Sequence, residues 1–539
     1  MKNGVKFKQS RRRFLKVTFF AALGLQFIQS CRKKINHIFL RLTGTNHILG
    51  HRLRFPDFPS PTEVLEIPVL ILGAGVTGLS AAYRLQKRGQ EDFLIIDLES
   101  EVGGNARSGQ NNHSSYPLGA HYLPLPNASN TELLEFLEES KIITGWTKEN
   151  MPIFDEEQLS FAPQERLFIH NVWQEGITPN YGLSLEDSAQ IERFVTHMTR
   201  FRQMKDAQGK YIFDIPMRNA ALSSDFKQLD SITMEAWMRS QGYQAEPLIE
   251  YVNYCCRDDY GTGIVTTSAF AGIHYFAGRK HNWTNYQDLV LTWQEGNGRL
   301  VSHLKKYVLG KVVNRQLAFG LRVKQEHVEV EVFDDHKKIT KIIRANQVIN
   351  CCPQFINQYL LPERASLTNE FHYAPWIVAT IVLRRFPFAD GAPLSWENII
   401  YKGKGLGYVY DQHQSLKQFQ SPFVITYYHS LGDGNLRENR KQVFSWTDKQ
   451  WKDFILKDLG EAHYGIEEEV ISIEIFRHGH GMISPVRGFL SSQARIELGK
   501  SIEGKLHFAH SDLSGISIFE EAFYQGIYAA DKVIAQLHK

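Results

Sequence analysis

The sequence predicts an α/β protein with a Rossmann-type nucleotide-binding domain and at least one further domain. Three observations lead to this prediction. The chain has 539 residues, which is more than one hydrophobic core usually supports. Residues 67–72 form an apolar, strand-like run that leads into a glycine-rich turn and then into a helical pattern. A second apolar run, at residues 93–96, ends in an acid, Asp97.

The N-terminal segment is predicted to be an export signal. Residues 10–16, SRRRFLK, match the twin-arginine motif at each defined position. The apolar run that follows, residues 17–28, is shorter than the roughly 20 residues that a membrane-spanning helix needs. A basic amphipathic anchor that stays on the protein is the alternative. We therefore expect the twin-arginine export machinery to be a partner. We also expect the folded part of the protein to be periplasmic or to face outward.

Cys31 is a candidate site for a lipid anchor. The residues before it, IQS at 28–30, resemble a lipobox except for Gln29. Membrane attachment through Cys31 is thus an alternative to cleavage of the signal. Residues 32–65, which are basic as far as Arg54 and then rich in proline, are predicted to be a linker on the surface.

Charge and cysteine content exclude two classes of function. The first 54 residues carry thirteen Lys or Arg and no Asp or Glu. The excess of positive charge behind the formal net charge of +3 therefore lies in this segment. Without the seven cations before Cys31, 54 basic residues face 58 acids, a net charge of −4. We expect no nucleic-acid partner, because such a partner needs a basic face on the folded body. Cys255–Cys256 and Cys351–Cys352 do not have metal-binding spacing, so no metal site is predicted.

The glycine-rich turn at residues 73–78, GAGVTG, predicts a dinucleotide site. Gly73 permits a tight turn, Gly75 lets a pyrophosphate approach the backbone, and Gly78 allows the helix to pack close to the strand. The N-terminus of that helix offers N–H groups and partial positive charge to phosphates. Asp97 lies about 20 residues further on, where a ribose-binding carboxylate is expected and where an acid disfavours NADP. These residues alone leave NAD and FAD open.

The segment after Asp97 carries a resemblance to a known group of enzymes. Residues 99–108, ESEVGGNARS, resemble the two-glycine segment of flavin amine oxidases, phytoene desaturases and protoporphyrinogen oxidases. The resemblance implies FAD as the cofactor, with the backbone of Gly103 and Gly104 at its phosphates and Arg107 adding charge there. This chain departs from the family at Asn105, where Arg is usual.

Three further segments extend the resemblance. Residues 117–122, PLGAHY, are similar to the segment beside the flavin ring, which implies contacts from Gly119 and Ala120. The sequence around 296–323 is similar to the adenine-binding segment, which implies a contact from Val323.

The last of these segments lies near the C-terminus. Residues 506–526 resemble the closing flavin motif. The resemblance implies that Asp512 binds the ribityl chain and that the helix around Ala522 faces the pyrimidine.

The resemblance spans about residues 66–535 and implies a Rossmann-type FAD-binding domain interleaved with a mixed α+β substrate domain. The active site is then expected between the two domains. The predicted order is a signal segment (1–31), a linker (32–65), FAD-binding stretches at 66–145, 291–355 and 470–539, and substrate-domain stretches at 146–290 and 356–469.

The implied activity is transfer of a hydride from an amine or C–C bond of a small molecule to flavin N5. Two family features lack clear counterparts. Arg384 and Arg385 follow the strand where a lysine near N5 is sought, and Ile518 stands at a tyrosine position of the aromatic cage. A flavin-bearing envelope protein for binding or assembly, without turnover, is therefore the alternative. A third hypothesis is an NAD-linked dehydrogenase. The sequence does not identify the electron acceptor.

Four residues are candidates for catalysis. His121 and His274 are possible acids or bases near neutral pH. Asp258 and Asp259 are candidates for recognition of a cationic substrate such as a polyamine. A buried ion pair of these acids with Arg257 is the alternative. Candidate aromatic lining residues are Tyr275, Trp283 and Tyr286.

Overall fold

The computed structural model describes residues 37–221, 224–286, 289–387 and 389–537. The chain divides into two units, residues 1–39 and 40–539, and nearly all described residues belong to the second. The twin-arginine motif, the apolar run after it and Cys31 lie outside the described residues.

The described residues form the following strands and α-helices. The strands are β1 (Phe39–Gly44), β2 (Pro61–Leu72), β3 (Phe93–Ile96), β4 (Ser108–Gln110), β5 (Ser115–Pro117), β6 (Tyr122–Pro124), β7 (Ile143–Trp146), β8 (Pro152–Phe154), β9 (Glu165–Ile169), β10 (Val172–Glu175), β11 (Val290–Thr292), β12 (Val312–Val313), β13 (Gln316–Val323), β14 (Val328–Asp334), β15 (Ile339–Asn350), β16 (Tyr373–Leu383), β17 (Glu397–Ile400), β18 (Tyr408–Tyr410), β19 (Phe423–Ser430), β20 (Val470–Ile483) and β21 (Leu506–Phe508). The α-helices are α1 (His47–Gly50), α2 (Val76–Lys87), α3 (Thr131–Glu139), α4 (Leu185–Gln203), α5 (Ser224–Asp230), α6 (Met234–Ser240), α7 (Glu246–Tyr260), α8 (Ala269–Ala277), α9 (Gly298–Leu304), α10 (Gln354–Leu360), α11 (Leu436–Ser445), α12 (Asp448–Leu459), α13 (Gln493–Leu498), α14 (Ser511–Ser514) and α15 (Phe519–Leu537).

A seven-stranded sheet forms the nucleotide-binding domain. Its order is β12-β3-β2-β15-β14-β13, and β21 also pairs with β15. The strands β12, β3, β2, β15 and β21 run parallel, and β13, β14 and β15 form an antiparallel extension. The sheet draws its strands from residues 61 to 508, so the nucleotide-binding domain is interleaved with the rest of the chain.

The C-terminal part of the central strand β2, residues 69–72, is buried on both faces, which explains its unbroken apolar sequence. Leu70 and Leu72 belong to one core cluster, which also includes side chains of α4 and α6 to α8. Val69 and Ile71 belong to a second cluster, with side chains of α2 and α15. Alternate residues of a strand point to opposite faces, so helices cover both sides of this sheet.

An eight-stranded sheet forms the second domain, in the order β1-β20-β16-β19-β18-β17-β9-β10. The strand β16 is buried at every position and pairs antiparallel with both β19 and β20. The sequence-based boundaries placed residues 470–539 in the nucleotide-binding domain, but β20 belongs to this second sheet. The sheet pairing therefore moves the boundary to the end of β20, at Ile483.

Within the described ranges, no helix has both the length and the apolar character needed to cross a membrane. The described cysteines, Cys255, Cys256, Cys351 and Cys352, are free thiols. Across the same part of the chain, no cluster of three or more His, Cys, Asp or Glu side chains is arranged to hold a metal ion.

Candidate active site

The glycine-rich turn joins β2 to α2 at the carboxyl edge of the parallel strands. Gly73 has φ +98°, a left-handed conformation that glycine adopts without strain. A Cβ on Gly78 would lie 1.9 Å from the carbonyl oxygen of Gly73, so a larger residue does not fit there. A Cβ on Gly104 would lie 3.2 Å from the Cα of Gly75. The turn and the two-glycine segment therefore lie backbone against backbone.

Asp97 holds this turn in place. Its Oδ2 accepts a hydrogen bond from the backbone N–H of Ala74 at 2.5 Å, and its Oδ1 accepts one from Glu99 at 2.7 Å. Burial raises the pKa of Asp97 to about 6. Arg107 lies beside it, with Nη1 3.2 Å from the Glu99 carboxylate and Nε donating to the carbonyl of Gly104 at 3.1 Å. Glu99 thus already neutralises the charge of Arg107.

A cavity of about 410 Å³, here called the outer cavity, runs along these groups. It extends from Asp97 at the end of β3 to Asp512 in α14. The elongated cavity brings together most of the residues that the sequence assigned to the cofactor. Those that line it are Gly73, Gly75, Asp97, Gly103, Gly104, Arg107, Ala120, Asp512 and Ala522.

The side chain of Asp512 is 1% exposed and leaves one oxygen available. Its Oδ2 accepts hydrogen bonds from the Tyr373 hydroxyl at 2.6 Å and from the backbone of Gln354 at 2.8 Å. Its Oδ1 is buried and has no hydrogen-bond donor among the described residues. The nearest ring nitrogen, Nδ1 of His510, itself accepts a hydrogen bond from the Asp512 backbone. A ligand hydroxyl in the cavity would satisfy this orphaned oxygen.

Val323 does not reach the outer cavity. It is the last residue of β13 and packs against the apolar core. At the opposite end of the same strand, Leu317 and Ala318 line the cavity. The sequence motif identified the strand but not the end that faces the cavity, so the adenine contact does not fit Val323.

A second cavity, of about 150 Å³ and here called the inner cavity, adjoins the outer one. The two share lining residues, among them Ala120, His478 and Ile518. Gly119 lines the inner cavity but not the outer one. The walls of the inner cavity are aromatic and charged. They include Tyr122, Trp376, Tyr428, Asp258, Asp259, Glu520 and Arg279.

Asp258 and Asp259 lie in the last turn of α7, where the helix dipole disfavours a carboxylate. Burial, together with the negative charges of Glu397 and Asp259, raises the pKa of Asp258 well above its ordinary value. Burial also raises the pKa of Asp259 to about 6, against the opposing effect of Arg279. Arg279 lies 3.3 Å from Glu520. Within the described ranges, both aspartates therefore lack a cation that is theirs alone.

Glu397 is a buried acid close enough to Asp258 to affect its pKa, and the sequence did not reveal it. It begins β17, accepts a hydrogen bond from the Tyr254 hydroxyl at 2.9 Å, and acts electrostatically on Asp258. Burial raises the pKa of Glu397 to about 7. The surrounding stretch carries no motif, so its sequence offered no signal for this role.

The two candidate histidines have different surroundings. His121 lines the inner cavity, with its ring 4.7 Å from that of Tyr428, and its buried Nε2 has no partner among the described residues. His274 is buried in α8, where its Nε2 lies 3.0 Å from the Asp214 carbonyl, and it lines neither cavity. Burial lowers the pKa of each to about 3. The catalytic assignment of His274 is therefore wrong, and its role is structural.

Other expected contacts also differ. Arg257 donates to the carbonyl of Lys404 at 2.6 Å. It forms this contact instead of the expected ion pair with the neighbouring aspartates. Arg385 forms an exposed ion pair with Glu469, 2.6 Å apart, at the end of β16. The candidate aromatic residues pack in the core clusters instead of lining the inner cavity. These residues are Tyr275, Trp283 and Tyr286.

Comparison with known proteins gives two short sequence matches. Residues 71–140 match the family model of the NAD(P)-binding Rossmann-like domain. A Baeyer-Villiger monooxygenase of Pseudomonas aeruginosa is 41% identical over 49 residues. That match covers 9% of this chain and 9% of the length of the relative, so it concerns a short segment of each protein alone.

Solved structures match over nearly the whole chain. A triple mutant of putrescine oxidase has a TM-score of 0.65 at 15% identity, covering 88% of this chain and all of the other. Cyclohexylamine oxidase from Brevibacterium oxydans has a TM-score of 0.62 at 14% identity, with the same coverage. A CLA-producing fatty acid isomerase from P. acnes has a TM-score of 0.59 at 13% identity, covering 87% and 98%. The chain therefore has the α/β fold of these enzymes, with a Rossmann-like dinucleotide-binding domain.

Proposed function

We propose that the protein is an FAD-dependent oxidase or dehydrogenase that acts on a cationic amine or polyamine. The observation that carries the proposal is the charge of the inner cavity. Among the described residues that line it, Asp258, Asp259 and Glu520 face one Lys or Arg side chain, Arg279. Two histidines line it as well, but burial lowers the pKa of His121 to about 3 and that of His478 to about 4. Buried carboxylates without a matching cation are costly, and a protonated amine would compensate them.

The outer cavity fits FAD. Asp97 stands at one end and Asp512 at the other, and both carboxylates suit ligand hydroxyls. Between them, the backbone of the two glycine segments allows close approach of a diphosphate. Bound FAD would supply the hydride acceptor. The names of two structures with the same fold, putrescine oxidase and cyclohexylamine oxidase, support an amine as the substrate.

The walls of the inner cavity bind and orient the amine. Asp258 and Asp259 bind the ammonium group, and the faces of Trp376 and Tyr428 stabilise a cation and exclude water. The substrate must lose a proton before it donates a hydride. Asp259, with a pKa near 6, is better suited to take that proton than His121, with a pKa near 3.

The charge of the inner cavity separates this proposal from its rivals. The same fold occurs in a fatty acid isomerase, so the fold alone does not select an amine. An apolar polyene, however, would leave the carboxylates of the inner cavity unpaired. A flavin protein without turnover would not need these carboxylates next to the outer cavity.

The test is an absorbance spectrum of the purified protein, followed without oxygen while substrates are added. Putrescine, spermidine, a monoamine, an amino acid and a polyene form the panel. We expect flavin bands that an amine bleaches and that the polyene leaves unchanged. A colourless folded protein contradicts the cofactor proposal. Flavin bands that no compound changes contradict the enzymatic proposal and favour a binding or assembly protein.

We also propose that the protein is exported by the twin-arginine route. The support is the motif at residues 10–16 followed by the short apolar run. A protein that binds FAD in the cytoplasm requires a route that carries folded proteins. Cell fractionation, with the precursor and the mature form distinguished by mass, tests this proposal and also reports lipid attachment at Cys31.

A further inference from the structure

Residues 40–58, here called the N-terminal strap, contribute part of the lining of the outer cavity. The strap begins in β1, which pairs with β20 of the second sheet. The Arg477 side chain fixes this end by donating to the Thr43 carbonyl at 3.1 Å. The backbone N–H of Asn46 then donates to the Glu99 carboxylate of the nucleotide-binding domain at 2.8 Å. The strap thus connects the two sheets across the cavity.

The second half of the strap is packed onto the nucleotide-binding domain. Leu49 and Leu53 are each 5% exposed and pack with Leu317 and Phe333 of β13 and β14. Seven strap residues line the same cavity as the glycine segments and Asp512. These residues are Thr45, Asn46, His47, Gly50, His51, Leu53 and Arg54. The strap therefore forms one wall of the cavity that is proposed to hold FAD.

This wall is positively charged. The Arg54 guanidinium lies 3.2 Å from Nε2 of His51, and both side chains face the cavity. Burial and then the charges of Arg440, His51 and Arg54 lower the pKa of His480, which lines the cavity as well. Among the described residues, no ion pair with a carboxylate involves Arg54, and Arg440, which lies outside the cavity lining, donates to the carbonyl of Tyr373 at 3.3 Å. Burial and then the charge of Arg54 lower the pKa of His51, and an anion bound beside both side chains would offset these effects.

We infer that the N-terminal strap belongs to the dinucleotide-binding site, with His51 and Arg54 binding the diphosphate of the cofactor from the side opposite the glycine segments. The inference rests on the proposed FAD site. It assigns binding residues to a segment that precedes the Rossmann-like domain in sequence. The strap would also cover the bound cofactor and slow its release.

The test compares the purified holoenzyme with variants at two positions in one turn of the strap. The test variants are Arg54→Gln and the double variant with His51→Gln. Arg52→Gln is the matched control, because Arg52 pairs with Asp57 at 2.8 Å and stacks on Phe58 outside the cavity. The readout is the rate of flavin release after dilution, followed by flavin fluorescence at low and at high salt.

We expect the double variant to release flavin at least tenfold faster than wild type at low salt, and the control to stay within twofold. The difference should shrink at high salt, because salt screens an exposed cation and a phosphate. Equal release rates for the double variant, the control and wild type overturn the role of the strap while leaving the FAD site intact. Wild-type protein that holds no flavin contradicts the proposed function itself.

A second measurement does not depend on side-chain replacement. Trypsin cleaves after Arg52 and Arg54 when the strap opens. We expect these cuts to be slower in the FAD-bound protein than in the flavin-free protein. Cleavage at the same rate in both forms contradicts closure of the strap over the cofactor.

Discussion

Arg279 lies 3.3 Å from Glu520 in the wall of the inner cavity, and this pairing leaves Asp258 and Asp259, among the described residues, without a cation that is theirs alone. We predict that Asp258→Asn weakens binding of a cationic amine without loss of flavin. A hydrogen bond to a charged group contributes about 1.5–3 kcal/mol, which corresponds to roughly a 10- to 150-fold rise in the dissociation constant.

Anaerobic titration of the flavin absorbance with putrescine measures the effect of Asp258→Asn. The surface variant Asp206→Asn is the control, since Asp206 caps a turn far from either cavity lining. Unchanged amine affinity in Asp258→Asn would count against the carboxylates as the binding groups.

The activity is predicted to rise with pH between about 5 and 8. Asp259 has a pKa near 6 and Glu397 one near 7, so the inner cavity gains negative charge over this range while an amine with a pKa near 10 stays protonated. The measurement is kcat/KM for an amine against pH. A profile that is flat from pH 5 to 8 would remove ionisation of these groups from substrate binding.

Stability is predicted to follow the opposite trend. Burial raises the folded-state pKa of Asp259 and Glu397, so the stability linked to them is complete near pH 4 and is lost as pH rises through 6 to 7. A bound cation offsets this loss. Putrescine should therefore raise Tm more at pH 8 than at pH 5, as measured by differential scanning fluorimetry. An equal rise at both pH values contradicts the prediction.

Glu397→Gln is predicted to move the acid limb of the pH profile to lower pH. The negative charge of Glu397 helps to raise the pKa of Asp258, and the amide removes that charge while keeping an acceptor for Tyr254. Tyr254→Phe provides the contrast, because loss of its hydrogen bond raises the pKa of Glu397 and moves the limb the other way. A merely structural role for Glu397 would lower the rate without moving the limb.

Gly78→Ala is predicted to destabilise the nucleotide-binding domain and to abolish flavin retention. The added Cβ would stand 1.9 Å from a backbone oxygen, which cannot move as a side chain does. Overpacking typically costs about 1–3 kcal/mol, and we expect the upper end here. The control is Gly499→Ala, whose nearest neighbour would lie at 3.6 Å. Urea unfolding and flavin content of the two variants are compared.

Replacement of Arg11 and Arg12 by Lys is predicted to block export and to leave a precursor in the cytoplasm, because the twin-arginine route requires both arginines. Arg13→Lys, at the undefined position between Arg12 and Phe14, should be exported normally. Fractionation with immunoblotting measures both. Export of the double variant at the wild-type level contradicts the assignment.

The sequence predicted the nucleotide-binding domain because its chemistry is local. The turn at residues 73–78 and Asp97 are connected by one strand and one helix, and short spacing sets their geometry. The α/β class and the interleaving were likewise predictable from the order of the motifs.

The inner cavity could not be predicted in the same way. Asp258, Arg279 and Glu520 meet there from three separate parts of the chain, and no spacing relates them. Val323 and His274 show the same limit, since each was identified by residue type and element while the direction it faces depends on tertiary packing. The sequence-based boundary at residue 470 differs from the sheet pairing because the residue pattern of β20 does not say which sheet the strand joins.

The pairing of β15 with β21 has a consequence for how the protein is made. Residues 348–350 hydrogen-bond with residues 506–508, so the parallel sheet contains contacts across more than 150 positions of sequence. Long-range strand pairing of this kind is slow, because the intervening chain loses entropy on loop closure before the stabilising contacts between the strands form. The nascent chain therefore leaves the ribosome almost entirely before its nucleotide-binding half can assemble, and chaperones have a long interval in which to engage it.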